Sequence, residues 1–176
     1  ICGISGKELT KEEINFFKKY NPWGIILFSR NCDSKSQLIA LINNIRSLTH
    51  KDIPVMIDQE GGRVHRLVYS SDLKLYPANF FGKIYNNNKD EAKKALNLQC
   101  KIISKELKDL GININTFPVL DMPVDDESGV IGDRSFSRNK HIVAELGKES
   151  MDAYISMGIN PVIKHIPGHG RAKVDS

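Results

Sequence analysis

Apolar runs of strand length and helical patterns alternate along this chain, and that alternation limits its fold more than any other feature. Residues 23–29 (WGIILFS) form an apolar run that alternates poorly, as expected of a strand buried on both faces of a parallel sheet. Residues 54–58 (PVMID), 114–120 (INTFPVL) and 160–165 (NPVIKH) read as further strands, and a short apolar piece opens the chain at residues 1–4. Helical patterns lie between them. Leu38, Leu41, Ile42, Ile45 and Leu48 recur at helical spacing on one face. Thr10 with Glu13, and Ser34 with Gln37, read as capping boxes that start two helices. The first runs to about Lys19, with Ile14 and Phe17 on one face, and Asn21-Pro22 stops it. A longer helix is expected over 89–110, with Gly111 just past its end, and another over 140–157, ending at Gly158. Segments 59–88 and 121–139 read as long loops, the first with at most one short helix.

Strands joined by helices make right-handed parallel crossovers, so the chain is α/β. Two architectures fit: a doubly wound open sheet, or part of a (β/α)8 barrel. Hydrophobic pattern alone does not separate them. The 176 residues suit one domain but fall short of the ~250 of a complete barrel. Other classes drop out quickly. The longest apolar run, 25–28, is far too short to cross a bilayer. The net charge of +4 is scattered and no basic run reaches five residues, so neither nucleic acid nor a membrane is an expected partner. Cys2, Cys32 and Cys100 are odd in number and lack CxxC spacing. Free thiols and no signal-peptide pattern together lead to the expectation of a cytoplasmic protein.

In parallel α/β folds, functional groups gather where strands end. Three such exits are rich in polar residues: 58–66 (DQEGGRVHR), Asp121 with 132–136 (GDRSF), and 164–170 (KHIPGHG). The candidates are Asp58, Arg66, Arg134, Lys164 and His165. Each also fits a blander role. Asp58 suits a turn cap, the arginines suit structural ion pairs, Lys164 suits a rim, and His165 suits a satisfied core position. Their joint placement at successive exits favours a pocket for a polar ligand. Gly61-Gly62 lacks the surroundings of a phosphate loop, and no nucleotide motif is present. His165 and His169 are four apart, but Pro167 and Gly168 forbid a helix there, so no metal site is expected. Cys32 has no local base to activate it. No cofactor is expected.

Three segments, IDQEGGRVHRL, IGDRSFS and KHIPGHGRAKVDS, resemble successive signatures of glycoside hydrolase family 3, from about Gly3 onward. The resemblance is to its bacterial β-N-acetylglucosaminidases, the branch serving peptidoglycan recycling. It implies a (β/α)8 TIM barrel, with residues 1–176 as the N-terminal part of that single domain, roughly its first five β/α units. It implies hydrolysis of terminal, non-reducing β-linked N-acetylglucosamine by a retaining mechanism. Asp58 would accept hydrogen bonds from sugar hydroxyls, Arg66, Arg134 and Lys164 would donate them, and His165 would add a contact. Asp175 would orient an acid/base histidine expected one residue beyond Ser176, and the nucleophile would be an Asp on a later strand exit. These 176 residues alone are therefore expected to be inactive. Successive strand side chains face opposite ways, so a sugar shared by Lys164 and His165 requires irregular backbone there, such as a cis peptide. A sugar-binding module without catalysis, and another barrel or doubly wound enzyme acting on phosphorylated metabolites, remain as alternatives.

Overall fold

The computed structural model describes residues 1–50, 52–67, 69, 74–124, 129–172 and 174. Five strands, β1 (Cys2–Gly3), β2 (Ile25–Leu27), β3 (Val55–Ile57), β4 (Ile114–Asn115) and β5 (Asn160–Pro161), form one sheet. They lie side by side in chain order, and every neighbouring pair is parallel. Helices α1 (Lys11–Tyr20), α2 (Lys35–Leu48), α3 (Ala78–Asn87), α4 (Lys89–Leu110) and α5 (Lys140–Ser156) make the crossovers. The order decides between the two architectures. A doubly wound sheet reverses direction at a switch point, whereas a barrel lays each strand beside the last. This sheet is wound as a barrel.

The apolar runs at β2 and β3 become short rungs of the core, whereas β5 stays partly exposed. Ile25, Leu27, Val55 and Ile57 have no exposed surface, and α2 lays Leu38, Leu41, Ile42 and Ile45 over them. Burying each such side chain contributes about 1.5–3 kcal/mol. The run at 23–29 is wider than its strand: Trp23 is exposed. β4 is also shorter than expected, because beyond Asn115 the chain meets Pro118, which has no N–H for the ladder. Pairing resumes at one isolated parallel bridge, Val119 with Lys164.

The Thr10 capping box forms in full, with Glu13 N–H on Thr10 Oγ1 at 3.1 Å and Thr10 N–H on Glu13 Oε2 at 2.8 Å. The Ser34 box forms by half. Ser34 Oγ accepts from Gln37 N–H at 3.2 Å, but Gln37 Oε1 takes the N–H of Asp33 instead of Ser34. The segment 59–88 holds the short helix allowed for it. It contains the ten-residue helix α3, begun at Pro77 and anchored by buried Phe81. Asn88 caps α4 by accepting from Glu91 N–H at 3.1 Å. Gly82 lets α3 press against the segment that follows Arg134, since a Cβ there would stand 1.7 Å from the Phe136 carbonyl oxygen. Among the described residues, no helix is long and apolar enough to cross a membrane.

Candidate functional site

β3 ends at Ile57, and the next two residues, Asp58 and Gln59, are held by the side chains of Thr116 and Asn115 from the neighbouring strand and its exit. Asn115 acts as a substitute ladder partner. Its Oδ1 accepts from Gln59 N–H at 3.0 Å, and its Nδ2 donates to the Gln59 carbonyl at 2.9 Å. Asp58 and Glu60, on either side of Gln59, both reach Lys164 from the β5 exit. Lys164 Nζ stands 2.8 Å from Asp58 Oδ1 and 2.6 Å from Glu60 Oε1. Arg134, beyond β4, closes a bidentate fork on Glu60, at 2.8 Å through Nη2 and 2.9 Å through Nε. Such planar pairs are strong and directional. The Thr116 hydroxyl donates to Asp58 Oδ1. Arg66 Nη2 lies 3.5 Å from Asp58 Oδ2.

Exposure rises across this cluster. The Glu60 side chain is 3% exposed, Arg134 9%, Lys164 13%, Asp58 18% and Arg66 28%. Glu60 therefore forms the buried floor, while Asp58 and Arg66 face outward. Burial pushes the Asp58 carboxyl up, but the Lys164 ammonium, the Thr116 hydroxyl and the Arg66 guanidinium outweigh it and hold Asp58 below its ordinary range. An ionised carboxylate accepts hydrogen bonds and never donates them, whereas the adjoining cations only donate. The open side thus offers both halves of what a polyhydroxylated ligand requires.

A second cluster centres on Asp121, at the β4 exit. Its Oδ2 takes the His165 main-chain N–H at 3.0 Å and the His165 ring Nδ1 at 2.5 Å, and its Oδ1 takes His169 N–H at 2.5 Å. A carboxylate partner only accepts, which assigns a proton to Nδ1. Burial raises the Asp121 carboxyl and these hydrogen bonds lower it, with a net fall below its ordinary value. Ser135 Oγ donates to the Asp121 carbonyl at 2.6 Å. The Lys164–His165 peptide is cis, the departure from strand geometry named above. An open cleft of about 730 Å³ runs beside Lys164, His165 and Asp121. Among the described residues, no group of three or more His, Cys, Asp or Glu is placed to share a metal ion.

Asp58, Arg66 and Lys164 come together as the strand-exit rule expects. Arg134 joins them through Glu60, as a buried clamp on the floor. His165 is seated on Asp121. Asp175 lies outside the described residues. Glu60 and Thr116 were not singled out from sequence. Glu60 carried a weak signal, its place two residues after Asp58; Thr116 sits in an apolar run and carried none. Cys32 is buried, which pushes its thiol up to about 11, so it is no ready nucleophile.

With this geometry in view, comparison with known proteins is specific. A family model described as the glycosyl hydrolase family 3 N terminal domain matches residues 4–176. The chain is 35% identical over 173 residues to a beta-hexosaminidase of Thioalkalivibrio sulfidiphilus, covering 98% of this chain and 49% of that protein. It is 37% identical to one from Nitrosomonas eutropha, covering 98% and 49%. It thus spans about half the length of these curated relatives. Its fold is similar to NagZ from Neisseria gonorrhoeae in complex with N-trifluoroacetyl-D-glucosamine, with TM-score 0.90, 32% identity, and 99% of this chain and 51% of that one covered. A family 3 beta-N-acetylglucosaminidase from Paenibacillus superposes with TM-score 0.85 at 30% identity, covering 99% and 33%.

Proposed function

The chain belongs to glycosyl hydrolase family 3, and from that premise we propose that the protein hydrolyses terminal, non-reducing β-linked N-acetylglucosamine. The substrates are peptidoglycan-derived saccharides or related glycosides, met in the cytoplasm, and the mechanism is retaining. Residues 1–176 are read as the N-terminal part of one (β/α)8 barrel domain. The observation that carries the reading is the open side of the charged cluster. Asp58 presents acceptor oxygens directly beside the donors of Arg66 and Lys164. A sugar diol needs such a pairing, because each hydroxyl both donates and accepts. Charge-assisted bonds on two or three hydroxyls fix the ring and so place its anomeric carbon. Arg134 serves from behind, by fixing Glu60 and through it Lys164. His165, seated on Asp121, adds a contact from the cleft side. Asp175 orients the acid/base histidine; a histidine suits that work because its pKa lies near neutrality. A carboxylate nucleophile completes a retaining mechanism.

The test is turnover of a chromogenic β-N-acetylglucosaminide by the full-length protein, with the matching β-glucoside as control. The expected result is hydrolysis of the first alone. Asp58→Asn should lower kcat/KM by roughly 10–150-fold, the equivalent of about 1.5–3 kcal/mol for a hydrogen bond to a charged group. Saturable binding by a full-length protein that never releases the chromophore would replace this reading with a sugar-binding module.

A further inference from the structure

Arg63 sits in the β3 exit loop and reaches across to the segment beyond β4. Its Nε donates to Asp133 Oδ1 at 2.9 Å. Its Nη2 lies 2.8 Å from the Gly129 carbonyl oxygen, 2.6 Å from that of Val130 and 3.4 Å from that of Ile131. Three successive carbonyls and one carboxylate thus converge on a single guanidinium. The Val130 carbonyl is shared, because Arg134 Nη1 also donates to it, at 3.2 Å. The segment then makes one tight turn, with Arg134 N–H on Ile131 O at 2.8 Å and Ser135 N–H on Gly132 O at 3.3 Å. Gly132 supplies the left-handed conformation this needs, at φ 42°. From that turn Arg134 extends to Glu60.

We infer that Arg63 is a positioning residue: it clasps the segment after β4 to the loop after β3 and so holds Arg134 against Glu60. The kinetic part of this inference rests on the sugar-hydrolase reading; the clasp itself does not. A planar fork with five donors suits convergent carbonyls, and a lysine supplies only a point charge. The Arg63 side chain is 47% exposed, and an exposed ion pair contributes little to global stability. Its effect is therefore expected to be local, which makes it separable from folding.

The experiment compares Arg63→Ala and Arg63→Lys with the wild-type full-length protein. For Arg63→Ala, the KM for a chromogenic β-N-acetylglucosaminide should rise roughly tenfold, with kcat within about threefold, since misplaced binding groups weaken ground state and transition state alike. Arg63→Lys should fall between Arg63→Ala and wild type. Amide exchange at Arg134 and Ser135 should quicken at least about tenfold in Arg63→Ala while the amides of α4 keep their protection. Unchanged exchange at the turn overturns the inference, and so does faster exchange with an unchanged KM. If Arg63→Ala does not fold, Arg63→Lys decides on the same two readouts. If the wild-type protein hydrolyses no such substrate, the sugar reading fails and exchange alone judges the clasp: faster supports it, unchanged overturns it.

Discussion

Two glutamates in this molecule are each held between two cations, and they do different things. Glu60 lies between Lys164, at 2.6 Å, and Arg134, at 2.8 Å, on the floor of the strand-exit cluster. Glu145 lies between Lys89, at 2.7 Å, and Lys93, at 3.1 Å, on the outer face where α4 meets α5. The distances nearly coincide. The surroundings do not: the Glu60 side chain is 3% exposed and Glu145 36%. Around Glu145, water solvates either charge whether or not the contact forms. Around Glu60, water is largely excluded, and the cations keep only fixed protein partners, such as Asp58 for Lys164 and the Val130 carbonyl for Arg134. The comparison teaches that an ion pair's importance is set by what replaces it when it breaks.

The largest effect should follow from breaking the buried triad. Glu60→Gln keeps the shape of the side chain and removes its charge, leaving Arg134 and Lys164 facing each other without it. Removing one partner of a buried pair costs about 3–5 kcal/mol. Urea unfolding of Glu60→Gln should show a midpoint well below wild type with an unchanged slope. N-acetylglucosamine binding should be lost even where the variant remains folded, because Lys164 loses one of the two carboxylates that aim it. A midpoint equal to wild type would put Glu60 in the same category as Glu145.

A smaller effect, of opposite origin, concerns acid. Asp58 and Asp121 both sit below their ordinary range in the folded protein, despite burial. A carboxyl whose pKa is depressed by folding contributes stability that is fully present above its unfolded value of about 3.9. That contribution is lost as pH falls through the folded value. The urea midpoint should therefore stay nearly flat from pH 7 to about pH 5 and decline below about pH 4. Asp121→Asn should be less stable than wild type at pH 6, and the gap should narrow toward pH 3. A gap independent of pH would mean that Asp121 acts through shape alone.

Much of the rim could be read from residue order, because strand exits are defined by local pattern and Asp58, Arg66, Lys164 and Asp121 stand at them. The barrel winding was legible only through the resemblance of whole segments to a family, since local periodicity says where strands are and not which neighbours they choose. Glu60 escaped for a related reason. A glutamate in a glycine-rich loop looks solvated, and its burial is created by cations that the β4 and β5 exits deliver from distant parts of the chain. The bounds of α3 were not legible, because Asn86, Asn87 and Asn88 resemble a turn although α3 runs to Asn87 and Asn88 caps the next helix. Arg134 was recognisable as a candidate, but its partner Glu60 was not.

The smallest expected effect completes the comparison. Glu145→Gln removes the charge between Lys89 and Lys93, and both ammonium groups can turn to water at once. Hydrogen bonds from Lys89 and Lys93 draw the Glu145 carboxyl down in the folded protein, so a trace of stability should appear above its ordinary value and fade in acid. Solvent screening keeps that trace small. At physiological salt, the melting curve of Glu145→Gln should overlay that of wild type within replicate scatter. Any residual difference should vanish in 1 M NaCl, where the screening length falls to about 3 Å. The Glu60→Gln loss should survive the same salt, because ions do not reach a buried cluster. If both losses respond to salt alike, the two triads differ only in position and the distinction drawn from burial fails.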